Sequence, residues 1–197
     1  MKHERLELKN YFDFLGEEGR NPTLDIYLPY NMVEMKREKQ KRPCMLICPG
    51  GGYGMCSERE SEVVGLHFLP EGFNVFVLTY SVEPNRFPTQ IREVAAAVEL
   101  IYKNAEEWNC DTEKIAIMGF SAGGHLAASL GVLYSDPFVL DALKATEKDI
   151  RPDALVLGYP VITCDGSFAH VGSIVNVSGT TDTESAMYKK MSLENHV

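Results

Sequence analysis

The stretch IMGFSAGGHLAASLG, residues 117 to 131, decides how the rest of the chain is read. Ser121 stands in it within Gly119-Phe120-Ser121-Ala122-Gly123, after the apolar run KIAIM and ahead of a series of small residues. Gly-x-Ser-x-Gly alone is a weak pattern. A buried strand before it and a helix after it make it the sharp β-to-α turn called a nucleophile elbow. A serine on such a bend holds a strained backbone conformation, and side chains on its neighbours would collide with the flanking strand and helix. Gly119 and Gly123 meet that demand. The bend lifts the hydroxyl clear at the carboxyl edge of the sheet, in front of the first amides of the following helix. Ser121 is therefore read as a nucleophile, with an ordinary strand-to-helix turn as the alternative.

An acyl-transfer serine needs hydrogen-bond donors for the oxyanion. The backbone N–H of Ala122 is one by position. The run CMLIC, residues 44 to 48, reads as an earlier buried strand and ends in Pro49-Gly50-Gly51-Gly52-Tyr53. Parallel topology would bring this loop beside the elbow, and Gly51 and Gly52 are the candidates for further donors. A phosphate-binding loop is the competing reading, but no Gly-Lys-Ser/Thr follows.

Around these motifs the chain alternates strand and helix signals. LELKNYF and TLDIYLPY alternate apolar and polar residues, as an antiparallel pair at a sheet edge would. Residues 61 to 69 read as helical, and NVFVLTY as another buried strand. Between Pro88 and Trp108 the apolar positions fall three and four apart, marking one helix face, with Trp108 read as packing. Asp111 or Thr112 is expected to cap a turn before KIAIM, and ALVLGYPVI, residues 154 to 162, to form a further strand. This order implies a mostly parallel sheet with helices on both faces, in one α/β domain spanning 1–197.

PGGGY after one strand and GFSAGGHLA after another, followed by LYSD and LVLGYPVI, resemble the α/β-hydrolase superfamily. More narrowly the chain is similar to its acetyl-xylan-esterase-like and feruloyl-esterase-like branch, related to the hormone-sensitive-lipase-like esterases. Pro49 stands where lipase-like relatives often carry His, which fits the sugar-esterase branch. The resemblance implies a serine carboxylic-ester hydrolase acting on small acylated sugars or xylan fragments through a Ser, Asp, His triad. A serine peptidase of prolyl-oligopeptidase type shares the elbow but needs a gating domain for which this chain has no room. A catalytically dead fragment or binding protein that retains the pocket is the reading from another class.

The triad partners are the weak point. Only His125, His170 and His196 follow Ser121. His125 lies one helical turn beyond the serine and reads as structural. Asp165 with His170 or His196 would make a non-standard triad. The resemblance implies instead that the chain lacks the last two strands of the fold, with the catalytic Asp and His. Asp165 and His170 then belong to a loop over the pocket, and residues 182 to 192 to a helical cap element. The sheet would be left with an open edge inviting a homo-oligomer. Tyr53 and Tyr80 could line the acyl or sugar pocket, with packing as the competing role.

Composition narrows the partners. The 197 residues carry 19 Lys and Arg against 28 Asp and Glu, a net charge of −9, which argues against nucleic acid. KREKQKR, residues 36 to 42, reads as a solvated loop. Five scattered cysteines without a Cys-x-x-Cys pair point to reduced thiols and a cytoplasmic location, not to a metal site. No apolar run approaches the ~18 residues of a membrane span, so no membrane partner is expected, and no cofactor fingerprint stands out.

Overall fold

The computed structural model describes residues 1–15 and 21–197. Six strands, β1 (Lys2–Glu7), β2 (Thr23–Leu28), β3 (Arg42–Cys48), β4 (Asn74–Thr79), β5 (Cys110–Phe120) and β6 (Ala154–Gly158), form one sheet in the order β1-β2-β4-β3-β5-β6. β1 and β2 join antiparallel, as do β2 and β4, and the remaining pairs are parallel. The helices are α1 (Glu62–Gly65), α2 (Thr89–Lys103), α3 (Ala122–Leu133), α4 (Pro137–Leu143), α5 (Glu147–Ile150), α6 (Val171–Ser178) and α7 (Ala186–Lys190).

The parallel strands explain their own burial. Alternate side chains of a strand face opposite sides of its sheet, so a strand covered on both faces must be apolar throughout. Cys44, Leu46 and Cys48 of β3, Phe76 and Leu78 of β4, and Ile115 and Ile117 of β5 enter the larger core with residues of α2 and α3. Their neighbours Met45, Ile47, Val75 and Val77 form a second, smaller core with Tyr27, packed by Val64, Phe68 and Leu69. Trp108 lies buried in the larger core, its ring 5.7 Å from that of Phe76.

Three boundaries differ from the sequence reading. The first strand is Lys2–Glu7, because Leu8, Phe12 and Leu15 fall four and three apart and reach the core from 3-10 turns. Asp111 and Thr112 lie inside β5, where the register with β3 jumps from Arg42↔Cys110 to Cys44↔Ile115. The turn there is an excursion within the strand, and the Asp111 carboxylate accepts the Glu113 N–H at 3.2 Å. β6 ends at Gly158, because Tyr159 takes φ 35° and Pro160 has no N–H to donate. β6 is also an edge strand, with Leu157 38% exposed. Among the described residues no single helix is long and apolar enough to cross a membrane.

Candidate active site

β3 and β5 run parallel with Cys48 opposite Gly119, so the chain leaves both strands side by side at the carboxyl edge. Ser121 follows at φ 50°, ψ −117°, a region that costs a non-glycine residue about 1–3 kcal/mol and persists only where its surroundings enforce it. Here they do. The Ser121 N–H donates to the Gly158 carbonyl at 3.0 Å, and its own carbonyl accepts the N–H groups of His125 at 3.0 Å and Val161 at 3.2 Å. A Cβ on Gly119 would run into the Gly123 carbonyl, and one on Gly123 into the carbonyls of Cys48 and Pro49. The two glycines flanking the serine are thus dictated by backbone packed against backbone.

The glycine loop lies against the same bend. A Cβ built on Gly50 would sit 3.2 Å from the Ser121 Cβ. Gly51, Gly52 and Tyr53 take φ of 130°, 66° and 59°, which glycine adopts freely and tyrosine only under constraint. The loop carbonyls are occupied: Gly50 accepts the Ser57 N–H, Gly51 those of Gly54 and Met55, and Gly52 the Asn176 side-chain amide at 2.9 Å. The N–H groups of Gly51 and Gly52 have no acceptor among the described residues. Ala122 opens α3, so its N–H has no partner within the helix.

Behind the loop stands a buried polar relay. Tyr53, 1% exposed, donates its hydroxyl to His125 Nδ1 at 2.7 Å, and His125 Nε2–H donates to the Met191 carbonyl at 3.1 Å. Both ring nitrogens are used by a neutral imidazole, and burial pushes the His125 pKa down to about 4. The Tyr80 hydroxyl donates to the Pro49 carbonyl at 2.6 Å. The pocket-lining role for Tyr53 and Tyr80 therefore gives way to packing: both are buried, and their hydroxyls brace the loop from inside. His125 is structural, as its position one turn after the serine suggested.

In front of Ser121 lies a cavity of about 290 Å³ whose walls include Tyr159, Ile162, Phe168 and His170. His170 shares that cavity with the serine; Asp165 and His196 are not among its walls. His170 caps α6, its Nδ1 accepting the Ser173 N–H at 3.3 Å and meeting the Ser173 hydroxyl at 2.8 Å. With Nδ1 accepting, the neutral ring carries its proton on Nε2, the reverse of the tautomer in which a carboxylate on Nδ1–H frees Nε2 as a base. Asp165 is exposed and spends its carboxylate on Ser167, whose N–H and hydroxyl lie at 2.9 and 2.8 Å and hold its pKa below the ordinary value. His196 meets the Lys190 carbonyl at 3.1 Å. Asp165, His170 and His196 do not assemble into a triad with Ser121. Among the described residues no cluster of three or more metal-type ligands forms.

Two residues that sequence reasoning passed over belong to this site. Glu60 meets the loop at Gly50, and Asn176 of α6 meets it at Gly52. Neither sits in a recognisable motif, and only the folded chain brings them to the glycines.

The family profile described as BD-FAE matches residues 24–196. The chain is 38% identical to endo-1,4-beta-xylanase B of Butyrivibrio fibrisolvens over 92% of its own length and 28% of the relative's. It is 30% identical to an acetylxylan esterase of Xylanibacter ruminicola over 66% of its length and 25% of the relative's. The crystal structure of an acetyl ester-xyloside bifunctional hydrolase from Caldicellulosiruptor lactoaceticus superposes with a TM-score of 0.82 at 30% identity, covering 98% of this chain and 70% of that one. The chain thus spans about a quarter of the length of these curated relatives.

Proposed function

This chain belongs to the BD-FAE family and has the α/β-hydrolase fold, and from that premise we propose that it is a serine carboxylic-ester hydrolase scaffold deacylating small acylated sugars or xylan fragments. Ser121 is the nucleophile, and the N–H groups of Gly51, Gly52 and Ala122 are the oxyanion donors. The observation that carries the reading is the Ser121 backbone, φ 50° and ψ −117°, between β5 and α3, with the glycine loop packed against it. The names of the relatives supply the substrate class.

In the proposed step the Ser121 oxygen bonds to the ester carbonyl carbon, and negative charge gathers on the carbonyl oxygen facing the loop amides. The C–O bond to the alcohol then breaks, the departing oxygen taking from solvent water a proton equivalent to the one Ser121 released, and a second water attacks the acyl-Ser121 carbonyl to free the acid and restore the serine hydroxyl. Fixed donors aimed at that oxygen are worth about 3–4 kcal/mol each in the transition state. In this reading neither His125, sealed in the core, nor His170, whose Nδ1 is engaged by Ser173, receives the proton leaving Ser121, which passes to water. Loss of the base from such a triad costs about 10⁶-fold in turnover, so hydrolysis by these 197 residues alone is expected to be slow.

A fluorophosphonate probe and a short-chain nitrophenyl ester test this together. Slow, stoichiometric labelling at Ser121, lost in Ser121→Ala, with ester turnover near background, is the expected pattern. Robust turnover that Ser121→Ala leaves intact would sink the nucleophile assignment. The His170 tautomer also favours a second reading, a pocket that binds acylated sugars without turning them over; complete absence of labelling would select it.

A further inference from the structure

We infer that Glu60 is a positioning residue of the oxyanion loop, its carboxylate clamping the Gly50 amide on one side and the Tyr159 hydroxyl on the other. The inference rests on the proposed role of the glycine loop and adds a residue outside both glycine motifs.

The geometry begins with the turn at residues 57 to 60. The Gly50 carbonyl accepts the Ser57 N–H at 2.8 Å, and the Gly50 N–H donates to Glu60 Oε2 at 2.8 Å. Both polar groups of one residue are therefore fixed by one turn. That turn is itself closed by the Glu60 N–H on the Ser57 carbonyl, at 3.1 Å, and by the Ser61 hydroxyl on the same carbonyl, at 2.8 Å. The Gly50 N–H and C=O lie in successive peptide planes, so Gly50 is held on both sides of its Cα. Its N–H is committed to Glu60, which leaves the next two amides, Gly51 and Gly52, as the loop's free donors.

The second carboxylate oxygen reaches the chain that follows β6. Glu60 Oε1 accepts the Tyr159 hydroxyl at 2.6 Å, and the Tyr159 ring lies 5.8 Å from that of Phe120. Tyr159 follows β6 directly and holds φ 35°, while being 67% exposed. A strained, exposed residue needs an outside constraint, and the bond to Glu60 supplies one. Tyr159 also walls the Ser121 cavity, so the carboxylate couples the loop after β3 to the chain after β6 across the serine between them. The same bond raises the Tyr159 phenol pKa, and Arg59 opposes that rise.

Glutamine at position 60 can keep both contacts, its carbonyl accepting from Gly50 and its NH₂ donating to the tyrosine oxygen. Alanine keeps neither. That contrast gives the test, made on the whole chain. Displacing a catalytic group by about 1 Å can cost 10²-fold. Glu60→Ala should therefore lower the second-order rate of fluorophosphonate labelling at Ser121 about 10²-fold, with Glu60→Gln close to wild type. Independently of serine chemistry, the Gly50 amide proton should move upfield in Glu60→Ala by ¹⁵N-resolved NMR. Tyr159, followed through ¹³C-labelled tyrosine, should ionise at lower pH in the same variant. Wild-type labelling in a folded Glu60→Ala, or an unmoved Gly50 amide, would overturn the inference, as would Glu60→Gln falling as far as alanine. If wild type is not labelled at all, the nucleophile reading fails by itself, and the Gly50 and Tyr159 signals still decide the clamp.

Discussion

The two walls of the Ser121 site are built on opposite principles. The inner wall, Pro49 to Tyr53 against the start of α3, is backbone pressed on backbone. Gly50, Gly51 and Gly123 have no room for a side chain, Gly52 is called for by its φ of 66°, and the rear is locked by Tyr53, Tyr80 and His125. The outer wall, from Tyr159 to His170, is made of side chains and, beyond the buried Val161, becomes increasingly exposed, with Phe168 82% exposed. A close-packed interior specifies one arrangement, whereas an exposed segment with few buried contacts opens at little cost. The difference teaches where catalytic precision and where adaptability can reside. The proposed oxyanion donors need fixed geometry and lie on the inner wall; in the same reading, recognition of varied alcohols suits the outer one.

The comparison breaks most directly at Gly123. A methyl group there would collide with the Cys48 and Pro49 carbonyls, which are backbone and cannot swing aside. Gly123→Ala is expected to destabilise by more than about 4 kcal/mol or to prevent folding, read as soluble yield and urea midpoint. A variant folding within about 1 kcal/mol of wild type would show the inner wall to be far softer than its contacts indicate.

Acid probes the same wall more gently. His125 has a folded pKa of about 4 against an ordinary 6.5, so between these values the unfolded chain binds a proton that the folded chain refuses. Its contribution is complete above pH 6.5 and is lost as pH falls toward 4, on the order of 3 kcal/mol in all. Urea midpoints across that window should slope accordingly, and His125→Gln should flatten the slope. An unchanged slope in that variant would assign the pH dependence elsewhere.

The smallest effect on stability belongs to the outer side. Leu157 on the edge strand β6 is partly exposed, so Leu157→Lys should alter stability by no more than about 0.5 kcal/mol. Its effect on assembly should be larger. Sedimentation velocity is expected to show self-association of the wild type through β6 and a monomeric Leu157→Lys, and a wild type that stays monomeric at high concentration removes that expectation.

The inner wall was also the legible one. Glycine is required by φ at 51 and 52 and by contact at 51, 119 and 123, and such requirements write themselves into local sequence. The continuous apolar runs of β3, β4 and β5 followed from burial on two faces. What stayed hidden was decided by partners distant in the chain. His170 and Asp165 had the residue types of a triad, but their nearest polar neighbours, Ser173 and Ser167, claimed them first. Tyr53 and Tyr80 were undecided between cavity and core until burial and hydroxyl partners chose the core. Glu60 left no trace, because a carboxylate reaching back to Gly50 makes no periodic pattern. The 3-10 turns after β1 were missed because two alternating leucines, Leu6 and Leu8, mask the switch from a spacing of two to spacings of four and three.

The sheet has unlike borders. At one end β1 shows Lys2, His3, Glu4 and Arg5 to solvent, with Arg5 held by two 2.8 Å bonds to Asp25; at the other, β6 offers Val156 and Leu157. Charged fringes discourage strand addition, and apolar ones invite it. Two copies joined back to back through β6 would present β1 at both extremities of a twelve-strand ribbon, so growth would halt at a pair instead of running on into a filament.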